Sequence, residues 1–449
     1  MKSFTAHYKE LTRLGLPIVI GQLGIILVSF IDTIMVGRHG TADLAAAGFV
    51  NNVFNLAIIF ATGFSYGLTP IIGKLFGSGE KRKAGGMLRN ALFANGLMSV
   101  LLMAIMWTLY LNIDRLGQPV ELLELMRPYY LTLLLSLPFI LLFNAFRQFA
   151  DGITDTQTSM WILLTGNLLN IVGNYLLIFG KCGLPELGLL GAGISTLLSR
   201  MAMLAIFLVI FFRRKRYREY TLGFWHIKVT RLNQKKLFRI GLPVAFQMGM
   251  EAASFSLAAV MIGWLGTTAL AAHQIMCTVS QLGFMIYYGM AAAVAVKVSN
   301  YNGAGDIANI RRSANAGFHI IAVMAVFTSI VVYLTRNHIG HLFTDDSDVV
   351  LKVAALVTPF IVFQFGDGLQ SCFSNALRGI ADVKPVILYA FIAYIVISLP
   401  VGYLFGFIFN WGITGVWFSF PFGLTCAGVL FYQRFRSTVR KKEAAMHQS

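Results

Sequence analysis

Residues 44–73 hold thirty consecutive positions without Asp, Glu, Lys or Arg, and residues 385–433 hold forty-nine. A helix crosses the hydrocarbon core of a bilayer in about 20 apolar residues. Runs of this length are too long for buried strands and too apolar for solvated helices. Composition points the same way: 57% of the 449 residues are hydrophobic and 12% are charged, against about 25% charged in an ordinary soluble protein. The chain therefore reads as an all-α polytopic membrane protein. Uncharged runs and single interrupting charges place twelve transmembrane helices at 13–37, 46–74, 87–112, 127–149, 158–180, 188–212, 239–264, 270–299, 312–335, 350–377, 384–407 and 411–434. The long run is divided at Asn410-Trp411-Gly412.

Lys and Arg outnumber Asp and Glu by 36 to 19, a formal net charge of +17. In a soluble chain this balance suggests a nucleic-acid partner. Here the cations are sorted by side: 29 fall on the side of the N-terminus, 6 on the opposite side and Arg200 inside a span. That is the positive-inside distribution. It accounts for the charge without nucleic acid and predicts both termini in the cytoplasm, in a cell (inner) membrane. Cys182, Cys277, Cys372 and Cys426 are scattered and form no CxxC, so neither a disulfide framework nor a thiolate metal site is expected. The polar segment before Arg13 has no cleavage-site pattern of a signal peptide.

The chain is internally duplicated. Arg13-Leu-Gly-Leu-Pro17 returns as Arg239-Ile-Gly-Leu-Pro243, and Gly77-Ser-Gly79-Glu80 as Gly303-Ala-Gly305-Asp306, both at an offset of 226. Gly188, Gly191 and Ser195 match Gly412, Gly415 and Ser419 at 224, and Asn144, Arg147 and Asp151 match Asn375, Arg378 and Asp382 at 231. Six helices per half is an even number, so the halves share one orientation. The expectation is two pseudo-symmetric six-helix lobes in a parallel repeat, residues 1–212 and 237–449, joined by a basic linker at 213–236 read as a solvated, lipid-anchored cytoplasmic loop. Such repeats hold substrate near the midplane and expose it alternately. Pro17 and Pro243, at matching places ahead of an intramembrane acid, are candidate hinges.

A charge at the bilayer centre costs on the order of 3 kcal/mol by insertion scales and needs a reason. At 1.5 Å per residue, Glu251 lies roughly 18 Å in from Arg239 and Asp367 roughly 17 Å from Arg378. Two acids at one depth in the C-terminal half suit a Na⁺ or H⁺ site that also accepts a cationic cargo, because both cannot stay ionised in a dry site without a counter-cation. Asp32, with Asn170 and Asn174 on one face of the fifth helix, offers a second oxygen-rich cage; packing asparagines are the alternative there. Gln247 and Gln364 are candidates for a cavity wall, and Tyr288 for an adaptable apolar pocket with Met248, Met250 and Met285. Arg200, His273 and His319 are read as structural. No GxxxxGK[ST] loop occurs, so no nucleotide or other cofactor is expected and an ion gradient supplies the energy.

In order and helix placement the chain resembles the multidrug and toxic compound extrusion family, MATE, in its NorM-like branch. The likeness rests on Phe30-Ile-Asp32-Thr33-Ile-Met-Val-Gly37, Asn170-Ile-Val-Gly-Asn174-Tyr, Gly191-Ala-Gly-Ile-Ser-Thr196, Glu251 eight residues after Pro243, and Gln364-Phe-Gly-Asp367 followed by Leu377-Arg378-Gly379. It implies two six-helix lobes and antiport of drug against cation. It also implies a C-lobe cation and drug site at Glu251 and Asp367, and an N-lobe cation site at Asp32, Asn170, Asn174 and Thr196, so that Na⁺ would sit at one or the other. Two positions depart from the family. Asn174 stands where some branches have an acid, and Phe363, one turn from Asp367, stands where NorM-like members often have Tyr.

The expected function is therefore secondary active efflux of amphipathic or cationic small molecules in exchange for Na⁺ or H⁺, by a membrane-embedded monomer that is not an enzyme. The alternative is a flippase for a lipid-linked precursor, a class that often has a cationic central cavity, whereas here the midplane acids outnumber the bases. A membrane-embedded transferase would want clustered His, Asp and Ser near an interface, and the short external loops hold none.

Overall fold

The computed structural model describes residues 3–116 and 119–447. Twelve helices are long and apolar enough to cross a membrane. They are α1 (Phe4–His39), α2 (Thr41–Gly77), α3 (Lys81–Leu111), α4 (Val120–Gly152), α5 (Thr156–Ile178), α6 (Gly188–Arg213), α7 (Arg231–Gly263), α8 (Thr267–Gly303), α9 (Ile307–Leu342), α10 (Ser347–Gly379), α11 (Lys384–Ile408) and α12 (Gly412–Ala445). No strand occurs among the described residues. Most helices run several residues past the apolar segments that mark them in the sequence. Hydropathy reports where lipid begins, whereas the hydrogen-bond ladder continues through good helix formers such as those from Arg434 to Ala445. Large apolar side chains such as Phe30, Trp161 and Leu334 stay more than 60% exposed, as lipid-facing positions of a spanning helix should.

Packing divides the chain into two compact units, Ile20–Ala245 and Met1–Val19 with Phe246–Ser449. This partition follows contacts, while the division into 1–212 and 237–449 follows the duplication. The change of unit falls two residues beyond Pro17 in α1 and two beyond Pro243 in α7. Each arm packs on an equivalent partner: a Cβ on Gly15 would lie 2.4 Å from Met290 Sδ of α8, and one on Gly241 2.7 Å from the Phe64 carbonyl of α2.

The duplication is also present in the backbone. Gly79 and Gly305 share positive φ (76° and 72°), as do Gly188 and Gly412 (52° and 58°). A side chain is strained in this left-handed region. Gly191 and Gly415 admit a backbone carbonyl of the preceding helix, Leu177 O at 2.6 Å and Phe405 O at 2.5 Å from where a Cβ would be. One match from the sequence is corrected. The turns closing α4 and α10 are Gly152-Ile-Thr-Asp155 and Gly379-Ile-Ala-Asp382, offset 227, with positive φ at Thr154 and Ala381. Their hydrogen bonds agree: Asp155 N to Ala150 O at 2.8 Å, Asp382 N to Leu377 O at 3.0 Å. Asp155, not Asp151, is the counterpart of Asp382. Its carboxylate accepts from Tyr217 at 2.5 Å, and that of Asp382 from Arg434 at 2.7 Å.

The 213–236 segment differs from the loop read in the sequence. Helicity ends at Arg214, which is extended, and the chain folds back as the short helix Arg218–His226 with Tyr217, Tyr220 and Gly223 buried. Burial first, and then the neighbouring Asp155 charge, raise the Tyr217 phenol far above its ordinary value, so it remains a donor. α11 widens into π-helical turns at Phe391–Ser398 and Leu404–Ile408 on either side of Pro400. Proline frees carbonyls from the i to i−4 pattern, and wider turns absorb them.

Candidate functional site

The C-terminal cluster is assembled from α7, α8, α10 and α11. Gln370 of α10 donates to Glu251 of α7 at 3.0 Å. Asp367, three residues before Gln370, is 1% exposed and accepts from Ser371 Oγ at 3.4 Å. Its Oδ2 is buried with no hydrogen-bond partner among the described residues. Tyr394 of α11 belongs to the same cluster, and its hydroxyl is likewise buried with no hydrogen-bond partner among the described residues. Gly366 permits the approach of α12, since a Cβ there would meet Thr425 Oγ1 at 2.7 Å. Gln364 accepts from Tyr287 of α8, and its own Nε2 is buried without a partner. Buried polar atoms left unpaired each cost about 1–3 kcal/mol. Three of them around two carboxylates form a site with unused capacity to hold a small cation or a donor.

The other C-half residues named from the sequence lie in different company. Phe363 is buried among Phe255, Phe360, Trp417 and Phe420, with ring centroids 6.1–6.5 Å away. Tyr288 packs its ring on Phe284 at 5.6 Å. His273 accepts from Trp417 Nε1 at 3.2 Å, and His319 pairs with Tyr8 at 2.9 Å, the packing roles read for them. Tyr287 and Tyr394 went unread. Tyr394 lies in an unbroken apolar run, and only the path of α11 beside α7 shows where it faces; Ser254 Oγ donates to its carbonyl at 3.1 Å.

The N-terminal cluster is built on α1, α5 and α6. Asn174 donates to Asp32 at 2.6 Å, while its Oδ1 is fully buried without a partner among the described residues. Asn170, one turn earlier, donates to Thr196 Oγ1 at 3.3 Å, and Ser195 donates to the Asn170 carbonyl at 2.8 Å. Gly173 makes this possible: a Cβ would sit 2.4 Å from Ser195 Oγ. All four residues named from the sequence therefore fall in one region. Tyr129 was missed; it donates to Asn51 at 2.9 Å. Arg200 donates to Ser136 Oγ at 2.6 Å.

The MatE family profile matches residues 17–176 and 243–404. The chain belongs to the MatE family. The two matched segments start 226 residues apart, the offset of the duplication. A MOP superfamily transporter from Pyrococcus furiosus Vc1 has a similar structure, with TM-score 0.88, 20% identity and 97% of each chain covered. The eukaryotic MATE transporter AtDTX14 superposes with TM-score 0.87 at 18% identity, covering 99% of this chain and 100% of the other. Vibrio cholerae VcmN in its bent form gives 0.88 at 18% identity over 99% of both. At these identities the likeness establishes the fold. MatE membership sets the class, a multi-pass membrane transporter; Asp32, Asn170 and Asn174 of the first cluster and Glu251, Asp367 and Tyr394 of the second fall within the matched segments, while Ser195 and Thr196 on α6 lie outside them.

Proposed function

We propose that this MatE protein is a secondary active efflux transporter of the NorM-like branch, exchanging amphipathic or cationic organic compounds for Na⁺ or H⁺. The observation that carries the reading is the buried Asp367 carboxylate beside Glu251, with one oxygen unpartnered. A coupling cation at Glu251 and Asp367, held with Gln247 and Gln364 nearby, displaces a cationic cargo. This drives a rocking exchange of access only if ion and cargo favour different states. Phe363 and Tyr288 supply apolar surface. Asp32, Asn170, Asn174 and Thr196 form a second cation site, where the free Asn174 Oδ1 and the Asp32 carboxylate are the natural ligands for Na⁺. Pro17 and Pro243 act as hinges. The protein works as a monomer in the inner membrane with both termini cytoplasmic, needs no cofactor and performs no covalent chemistry. The acidic character of the C-half cluster speaks against a flippase for an anionic lipid-linked precursor.

Ethidium efflux from pump-deficient cells tests the assignment. Glu251→Gln and Asp367→Asn should each lose it while remaining in the membrane, and wild-type efflux from both variants would remove the site. Replacing Na⁺ by K⁺ at fixed pH separates the two coupling ions.

A further inference from the structure

The two halves treat one groove differently. Counterparts lie 226 residues apart along α3 and α9 and 224 apart along α6 and α12. In the N-terminal half the groove between α3 and α6 is filled by the chain itself. The short helix Arg218–His226 lies so close to α3 that a Cβ on Gly85 would fall 1.8 Å from the Tyr220 carbonyl, and one on Gly223 1.8 Å from that of Arg82. Arg89 donates to the carbonyls of Phe224 and Trp225 at 3.5 and 3.3 Å. Phe212 packs on the same two rings at 5.7 and 5.8 Å.

Among the described residues of the C-terminal half no segment folds back into the groove. Helicity continues past the counterpart of Arg214 to His447. The groove between α9 and α12 remains as a cavity of about 300 Å³ lined by Arg311, Asn315, Tyr432, Phe435, Arg436 and Arg440. Arg311 replaces Gly85, Asn315 replaces Arg89, and Arg436 replaces Phe212. The spacing is helical: Arg311 and Asn315 share one face of α9, and Tyr432, Arg436 and Arg440 one face of α12. Among the described residues the only ion pair made by the three guanidinium groups is that of Arg311 with Glu443, at 3.8 Å. Arg436 and Arg440 make no ion pair among the described residues. Three like charges around one cavity repel each other unless an anion joins them.

The geometry points to this groove as a binding site for the phosphate headgroup of an anionic phospholipid. Phosphate oxygens stand where the short helix presents carbonyl oxygens in the other half. Arginine forks suit phosphate, and Tyr432 with the buried Phe435 gives the glycerol and upper acyl carbons an apolar floor. The position also selects lipid over a free ion. The groove opens where the uncharged run of α12 ends at Gln433, at the level of the headgroups, on the side that carries the excess of cations. Basic pockets between spanning helices on that side hold anionic headgroups.

Native mass spectrometry of the full-length purified protein with added phosphatidylglycerol or phosphatidylcholine tests this. The wild type should retain one phosphatidylglycerol under activation that strips phosphatidylcholine. Arg311→Gln/Arg436→Gln/Arg440→Gln should lower that retention at least roughly tenfold, while Lys228→Gln/Arg231→Gln/Lys235→Gln, equal in charge, leaves it unchanged. Thermal unfolding without added lipid checks that the exposed substitutions leave the fold intact, and the single variant Arg440→Gln, expected to weaken retention partly, serves if the triple does not fold. Sodium phosphate alone should neither bind nor displace the lipid. Equal retention by the groove variants and the wild type, an equal loss in the control triple, or occupancy by free phosphate in place of lipid would each overturn the assignment.

Discussion

The N-terminal half surrounds one intramembrane carboxylate with amides and hydroxyls, whereas the C-terminal half holds two acids, one bonded by an amide and the other by a hydroxyl. The scaffold is the same: the same left-handed glycines open α6 and α12, and the same close helix approaches follow them. The contents differ. Asp32 is satisfied by Asn174 and leaves an amide oxygen over, while Asp367 is left with a carboxylate oxygen over. A duplicated frame thus keeps its turns, which backbone sterics dictate, and frees the polar interior to specialise.

The sharpest way to break this contrast is to neutralise the acids in turn. Asp367→Asn or Glu251→Gln should lower ethidium efflux by roughly tenfold or more, the equivalent of at least 1.4 kcal/mol of lost coupling. Asp32→Asn should lower it less and change its dependence on the coupling cation, measured as efflux against Na⁺ concentration and pH. Identical profiles for Asp32→Asn and Asp367→Asn would erase the distinction. The shared frame predicts the next effect. Gly191→Ala and Gly415→Ala each drive a methyl into a carbonyl, costing about 1–3 kcal/mol, and should lower the thermal midpoint of the purified protein by similar amounts; tolerance of one and not the other would show that the halves are not built alike. Gln370→Leu removes the donor to Glu251 and leaves that acceptor unpaired, at a cost of about 1–3 kcal/mol. It should weaken ethidium binding without unfolding the protein. The smallest expected change is Ser136→Ala, which takes one acceptor from Arg200 and should lower stability by about 1 kcal/mol in thermal unfolding, with efflux retained.

Much of the fold is legible in the sequence because lipid imposes a coarse rule: uncharged runs of span length become helices, and the breaks at Gly266 and Asn410 fall between observed helices. Asp32, Glu251 and Asp367 are legible for the same reason, as charges where charges are costly. The remainder depends on packing that periodicity does not encode. Tyr287 and Tyr394 look like any aromatic in an apolar span. The short helix Arg218–His226 hides in a basic segment, betrayed only by Tyr217, Tyr220 and Phe224 among the cations, and by Gly85 and Gly223, whose partners lie far apart in sequence. The Asp151 to Asp382 match failed because one acid near a helix end looks like another, and the positive φ of Thr154 and Ala381 together with the shared turn hydrogen bonds marks the true register.

Ethidium binding to the purified protein, followed by fluorescence anisotropy while Na⁺ and H⁺ are titrated separately, tests exchange at the paired acids most directly. One of the two ions should release ethidium from the wild type in a saturable way, and the same titration should leave Glu251→Gln/Asp367→Asn unmoved. Release of the same extent and midpoint from that variant, or wild-type binding indifferent to both ions, would contradict the exchange at Glu251 and Asp367.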